Sequence, residues 1–153
     1  MTNHLWSPWR MTYIQNHKHN DECAFCYEAA RPDGPENLIV HRGRQAFVIL
    51  NRFPYTSGHL MVVPFEHTSV LDTLTPAVRA EMMEQVSFGI RVLQQIYTPL
   101  GFNVGLNIGE AAGDGITEHI HMHIVPRWNG DTNFMSSLGY TRVLPEALEA
   151  TYR

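Results

Sequence analysis

The chain is short of several things, and each shortage removes a class of protein. Its 153 residues contain two cysteines, Cys23 and Cys26, too few for the disulfide framework of a small secreted scaffold. No apolar run approaches the roughly 20 residues that cross a bilayer. The first residues, with Trp6, Pro8, Trp9 and Arg10, lack the apolar centre of a signal peptide. Positive charge is scarce: 11 Lys and Arg against 15 Asp and Glu leave a net charge of −4, which argues against a nucleic-acid-coating protein. With 44% hydrophobic and 17% charged residues the chain is not disordered either, and it carries no repeat or low-complexity segment. A soluble, cytoplasmic, single-domain protein is expected over 1–153, able to bury about 70% of its unfolded surface. A polyanionic ligand would need a local site.

Histidine is plentiful, and its placement is informative. In the strand-like stretch from Glu118 to Trp128, His119, His121 and His123 alternate with Ile120, Met122 and Ile124, so an extended chain would line three imidazoles over an apolar underside. Imidazole titrates near neutrality and can serve as base, nucleophile or metal ligand. The His17/His19 pair has the same spacing but lies among Asn, Lys and Asp, and reads as a solvated loop.

The rest of the chain supplies a scaffold. Residues 1–22 read as an aromatic arm and loop, and 31–37 as turns. Leu38–Val40 and Ala46–Leu50 suit a hairpin, and His59 to Pro64 is a strand stopped by proline. Thr75-Pro76 starts a helix that should run to about Tyr97, with Val78, Met82, Val86, Ile90 and Leu93 as its buried stripe. Phe102–Ile108 is a further strand, and Gly109 to Gly115 a loop of small residues whose amides could approach an anion. The tail, 129–153, ends in a short helix from Pro145 to Tyr152. Cys23-x-x-Cys26 could supply two thiolates to a tetrahedral zinc completed by distant histidines, or remain two reduced core thiols; no thioredoxin-like pattern surrounds it.

The run His119-Ile120-His121-Met122-His123-Ile124-Val125 resembles the signature of the histidine triad (HIT) family. The likeness extends to Asn51–Pro54, to Gly58–Pro64, and to Asn107-Ile108-Gly109 with Ala112-Gly113. Leu5–Arg10 and Pro126–Phe134 are similar to the branch holding bacterial diadenosine tetraphosphate phosphorylases, also called ATP adenylyltransferases. The resemblance implies an α+β fold: a five-stranded, mostly antiparallel sheet with one long helix, paired into a homodimer. It implies nucleotidyl transfer through an adenylyl-histidine, with His121 as nucleophile, His123 donating to the phosphate, and His59 supporting both.

The same resemblance assigns phosphate contacts to Asn107 and the amides around Gly113 to Gly115, and a ribose contact to Asn51, which equally reads as a turn former. It makes His67 and His119 the partners of Cys23 and Cys26 around a structural zinc. Asp114-Gly115 departs from the Gln or Ser common in the family. A carboxylate beside a polyphosphate should point away, bind a metal such as magnesium or manganese, or alter which acceptor enters. Trp128 could stack on a base, cover the leaving group, or pack at a dimer seam. The expected substrate is a diadenosine tetraphosphate-type dinucleotide cleaved at the α-phosphorus, with phosphate as acceptor. Hydrolysis of such dinucleotides or of adenosine phosphoramidates, or AMP binding without turnover, are the alternatives.

Overall fold

The computed structural model describes residues 22–133 and 146–153. The expected aromatic arm, the His17/His19 loop, Phe134 and the helix start at Pro145 lie outside those residues. The described elements are α1 (Ala24–Ala30), β1 (Ile39–Arg42), β2 (Ala46–Leu50), β3 (Leu60–Pro64), α2 (Pro76–Tyr97), β4 (Gly101–Leu106), β5 (Met122–Arg127) and α3 (Leu148–Tyr152). The strands form one sheet in the order β1-β2-β3-β5-β4, with every neighbouring pair antiparallel. The α+β architecture is the one the resemblance implied.

Burial explains the order. Every residue of β2 and of β3 is buried, as a strand with neighbours on both sides and a helix above it requires. The long helix starts where expected: Thr75 accepts a hydrogen bond from the Val78 amide and Pro76 occupies the first turn. It lays Val78, Met82, Val86 and Leu93 on the sheet. Gly89 lets it come close, since a methyl group there would stand 3.0 Å from Ile124 Cδ1 and 3.4 Å from Leu60 Cδ1. Buried Gln85 gives its Nε2 hydrogen to Ala46 O at 2.8 Å, and Glu81 accepts from the amides of Gln45 and Ala46. The helix is thereby fixed along the sheet as well as against it.

Two departures from the sequence reading matter for the site. The short helix α1 follows directly from Cys23, nailed down by buried Phe25. The histidine stretch is not one strand: β5 begins at Met122. Ahead of it, Ile120 donates its amide to Thr68 O at 2.7 Å and His119 to Ile116 O at 3.3 Å. These bonds tie His119 and Ile120 to the loops after β3 and after the glycines, so the triad is bent at its start.

Ile124 meets α2 through Gly89, so alternation turns His123 and Val125 to the opposite face. Their cross-strand partners Gly105 and Asn103 share that face.

Candidate active site and metal centre

Backbone groups set the tautomers of His121, His59 and His119, and His59 sets that of His123. His121 Nδ1 lies 2.9 Å from His119 O. A carbonyl only accepts, so Nδ1 carries the proton and Nε2 keeps a lone pair. The Tyr55 amide donates to His59 Nδ1 at 3.0 Å, so the proton of neutral His59 is on Nε2, which lies 2.8 Å from His123 Nδ1. His123 therefore accepts at Nδ1 and carries its own proton on Nε2. The result is a bare nitrogen on His121 beside an N–H on His123, the two rings 4.9 Å apart between centroids. Burial, and next the neighbouring His121, push His123 down to about 4, against a smaller upward pull from Asp114, so its ring is neutral at pH 7. His59 is fully buried, and the Tyr55 ring lies against it and is stacked on His123.

His119 faces elsewhere. Its Nε2 lies 2.9 Å from Pro64 O, which puts the proton there and bares Nδ1. That atom lies 3.3 Å from Cys23 Sγ, 3.6 Å from Cys26 Sγ and 3.3 Å from His67 Nδ1, while Cys26 Sγ and His67 Nδ1 are 3.4 Å apart. A tetrahedral ion with metal–sulfur bonds of about 2.3 Å and metal–nitrogen bonds of about 2.0 Å has ligand–ligand edges of roughly 3.3–3.8 Å. The four residues fit a metal ion on both chemistry and spacing, and Pro64 O orients the His119 imidazole as outer partners of metal-bound histidines do. Burial first, then the nearby Cys23, push the Cys26 thiol up to about 11, so ion uptake has to displace protons. Phe25 lies between this cluster and the triad, its ring 5.5 Å from His119 and 5.0 Å from His121.

The remaining expected residues divide. Asn51 Oδ1 accepts from the Phe53 amide at 2.9 Å, the turn-forming use of this side chain, with Nδ2 3.4 Å from His59 Nδ1. Asn107 lines a shallow cavity beside His123. Gly109 and Gly113 take left-handed φ values of 84° and 87° around a tight turn, where glycine avoids the Cβ penalty. That turn uses its own amides: Gly113 donates to Glu110 O at 2.9 Å and Asp114 to Gly109 O at 3.4 Å, while Gly115 lies exposed beyond them. The amides of Gly113 and Asp114 thus donate inside the loop. Asp114 does not point away. Its side chain is 4% exposed, and Oδ1, held by the Ile116 amide at 2.9 Å, lies 3.9 Å from His121 Nε2. Trp128 packs edge-on against Tyr97 at the end of α2, away from the histidine face. Sequence reading assigned no role to Phe25, Tyr55 or the Arg127–Asp131 pair, although the last lies in the Pro126–Phe134 stretch.

A five-stranded antiparallel sheet that presents a histidine triad beside a Cys–Cys–His–His cluster defines a histidine triad protein. Residues 33–130 match the HIT domain, and the chain belongs to that family. Among its relatives is the AP-4-A phosphorylase of Mycobacterium tuberculosis (strain CDC 1551 / Oshkosh), 40% identical over 156 residues, covering 97% of this chain and 80% of that protein. A Zn-bound histidine triad family protein from Mycobacterium smegmatis shares the fold with a TM-score of 0.64 and 28% identity, over 86% of this chain and 93% of that one. The hypothetical histidine triad nucleotide-binding protein ST2152 from Sulfolobus tokodaii strain7 superposes with a TM-score of 0.66 at 26% identity, over 85% and 89%.

Proposed function

We propose that the protein is a nucleotidyl transferase that cleaves diadenosine tetraphosphate-type dinucleotides at the α-phosphorus and passes the adenylyl group to phosphate. The observation that carries this reading is the bond from His121 Nδ1 to His119 O, which leaves a lone pair on Nε2 beside the His123 N–H. In the first half-reaction His121 Nε2 forms a bond to the α-phosphorus and the bond to the bridging oxygen breaks. ATP leaves, with His123 donating to the departing oxygen. In the second, phosphate attacks the adenylyl-histidine and ADP is released. His59 holds His123 in the donating tautomer. The 40% identity to a protein named AP-4-A phosphorylase supports phosphate over water as acceptor. Incubating the protein with diadenosine tetraphosphate, with and without phosphate, should give ADP plus ATP only when phosphate is present. AMP plus ATP under both conditions would make it a hydrolase, and two ADP per substrate would exclude attack at the α-phosphorus.

The further parts of the reading are a structural zinc on Cys23, Cys26, His67 and His119, supported by their spacing and by the Zn-bound relative, and a magnesium or manganese ion carried by the polyphosphate. Asp114 Oδ2, without a hydrogen-bond partner among the described residues, is the group placed to meet that second ion. The outer edge of β4 pairs with no strand among the described residues, with Val104 on it and Leu100 and Ile108 flanking it exposed, and this supports a homodimer joined edge to edge. No helix among the described residues is long and apolar enough to cross a membrane, and a free thiol pair set for a metal suits the reducing cytoplasm.

A further inference from the structure

A shallow cavity of about 190 Å³ lies over β4 and β5 on the histidine face, lined among others by Tyr55, Asn103, Gly105, Asn107, His123 and Val125. Of the triad only His123 borders it, and in the proposed reaction His123 is the residue that donates to the departing oxygen.

Its amides are prepared for an anion. Arg127 Nη1 donates to Asn103 Oδ1 at 2.6 Å, and Arg127 is itself fixed by Asp131 through two bonds, Nε to Oδ2 at 2.6 Å and Nη2 to Oδ1 at 2.8 Å. Asp131 Oδ2 also accepts the Trp128 amide. A guanidinium only donates, so the oxygen of Asn103 must face it. The Nδ2 hydrogens are left with no partner among the described residues. Asn107, four residues further along the same face, also forms no side-chain hydrogen bond among them. Gly105 lies between the two, opposite His123, and a Cβ placed on it would meet nothing within 4 Å. Its missing side chain, not its backbone conformation, keeps the floor open. The amides of Gly113 and Asp114 donate inside their own turn, whereas these side chains and the His123 N–H are donors on the cavity face.

In-line displacement adds a constraint. The leaving oxygen of the first half-reaction and the attacking oxygen of the second both lie opposite Nε2 across the same phosphorus. The first phosphate of the departing chain and the acceptor phosphate must therefore use one place in turn. Resting on the adenylyl-transfer reading, we propose that this cavity is that shared phosphate subsite, with Asn103 as its donor and Arg127 and Asp131 as positioning residues that aim the amide.

The test uses the adenylyl-enzyme made from diadenosine tetraphosphate and freed of nucleotide, then chased with orthophosphate or with water alone. Asn103→Asp keeps the acceptor for Arg127 but replaces the donor with a negative charge; Gly105→Val fills the floor beside His123, its Cβ meeting nothing within 4 Å. In both, the half-saturating phosphate concentration should rise roughly tenfold or more, the scale of a lost hydrogen bond to a charged group. Adenylylation by the dinucleotide should fall in step, and discharge to water should change less than twofold. Unchanged phosphate discharge in both variants, or phosphate and water discharge falling together, would overturn the subsite. If the unsubstituted protein forms no adduct, the adenylyl-transfer reading fails first and the subsite with it.

Discussion

Removing the metal should loosen the fold by an amount that the topology sets. The proposed ion joins α1, the exit of β3 and the segment before β5, and the Cys23-to-His119 closure spans 96 residues. Treated as a cross-link, a loop of that length lowers the entropy of the unfolded chain enough to stabilise the native state by about 4.7 kcal/mol. For a chain of this size each kcal/mol moves the melting temperature by about 2–4 °C, so stripping the ion should lower it by roughly 10–20 °C. Cys23→Ser, which removes a buried ligand, should reproduce the drop and make the protein insensitive to chelator. The loss should reach chemistry too, because His119 O orients His121 and the proposed ion would hold His119 on its other side. The assay is thermal unfolding with and without a strong chelator, with zinc measured on the same samples. A fall of under 3 °C after verified removal of one zinc per chain would refute the reasoning, as would a purified protein that holds no metal.

Three more outcomes follow from the histidine geometry. His59→Phe conserves bulk but removes the acceptor of the Tyr55 amide and frees the His123 tautomer; it should lower adenylylation at least tenfold, and near-normal rates would remove His59 from the relay. His123 is held down to about 4 by burial and then by His121, whereas an unfolded histidine titrates near 6.5. The unfolded chain therefore binds a proton that folded His123 refuses, and stability should fall as pH drops from about 6.5 toward 4 and stay level above. Denaturant midpoints with metal saturating should show a smaller fall for His123→Gln; equal falls would contradict the assignment. Asp114→Gly should raise the half-saturating magnesium concentration for adenylylation about tenfold, and an unchanged requirement would end the proposed role of this carboxylate.

What the sequence made legible depended on local signals. Thr75-Pro76 and the stripe from Val78 to Leu93 marked α2 to within a residue, because cap, proline and periodicity agree. Alternation found the triad but overstated its regularity: the bonds of Ile120 to Thr68 and His119 to Ile116 are long-range or loop contacts that no spacing rule contains. The short helix α1 was hidden, since seven residues without a capping side chain carry little periodic signal and are held in place by Phe25. The decisive acceptors at the site, Pro64 O and His119 O, are backbone atoms that any residue supplies. Asp114 was read as pointing away, binding a metal or altering which acceptor enters; its loop turns it onto His121. The Asn103–Arg127–Asp131 chain spans two strands and a turn, so its parts look like ordinary surface polar residues when read in order.

The central claim is that His121 becomes adenylylated, and intact-mass analysis measures it directly. Protein mixed briefly with diadenosine tetraphosphate without phosphate and then denatured should gain the mass of one adenylyl group per chain, with the modified peptide containing His121. Phosphate added before denaturation should discharge it as ADP. His121→Ala, with zinc content and melting temperature unchanged, should gain nothing. An adduct elsewhere, or full turnover by His121→Ala, would contradict the account.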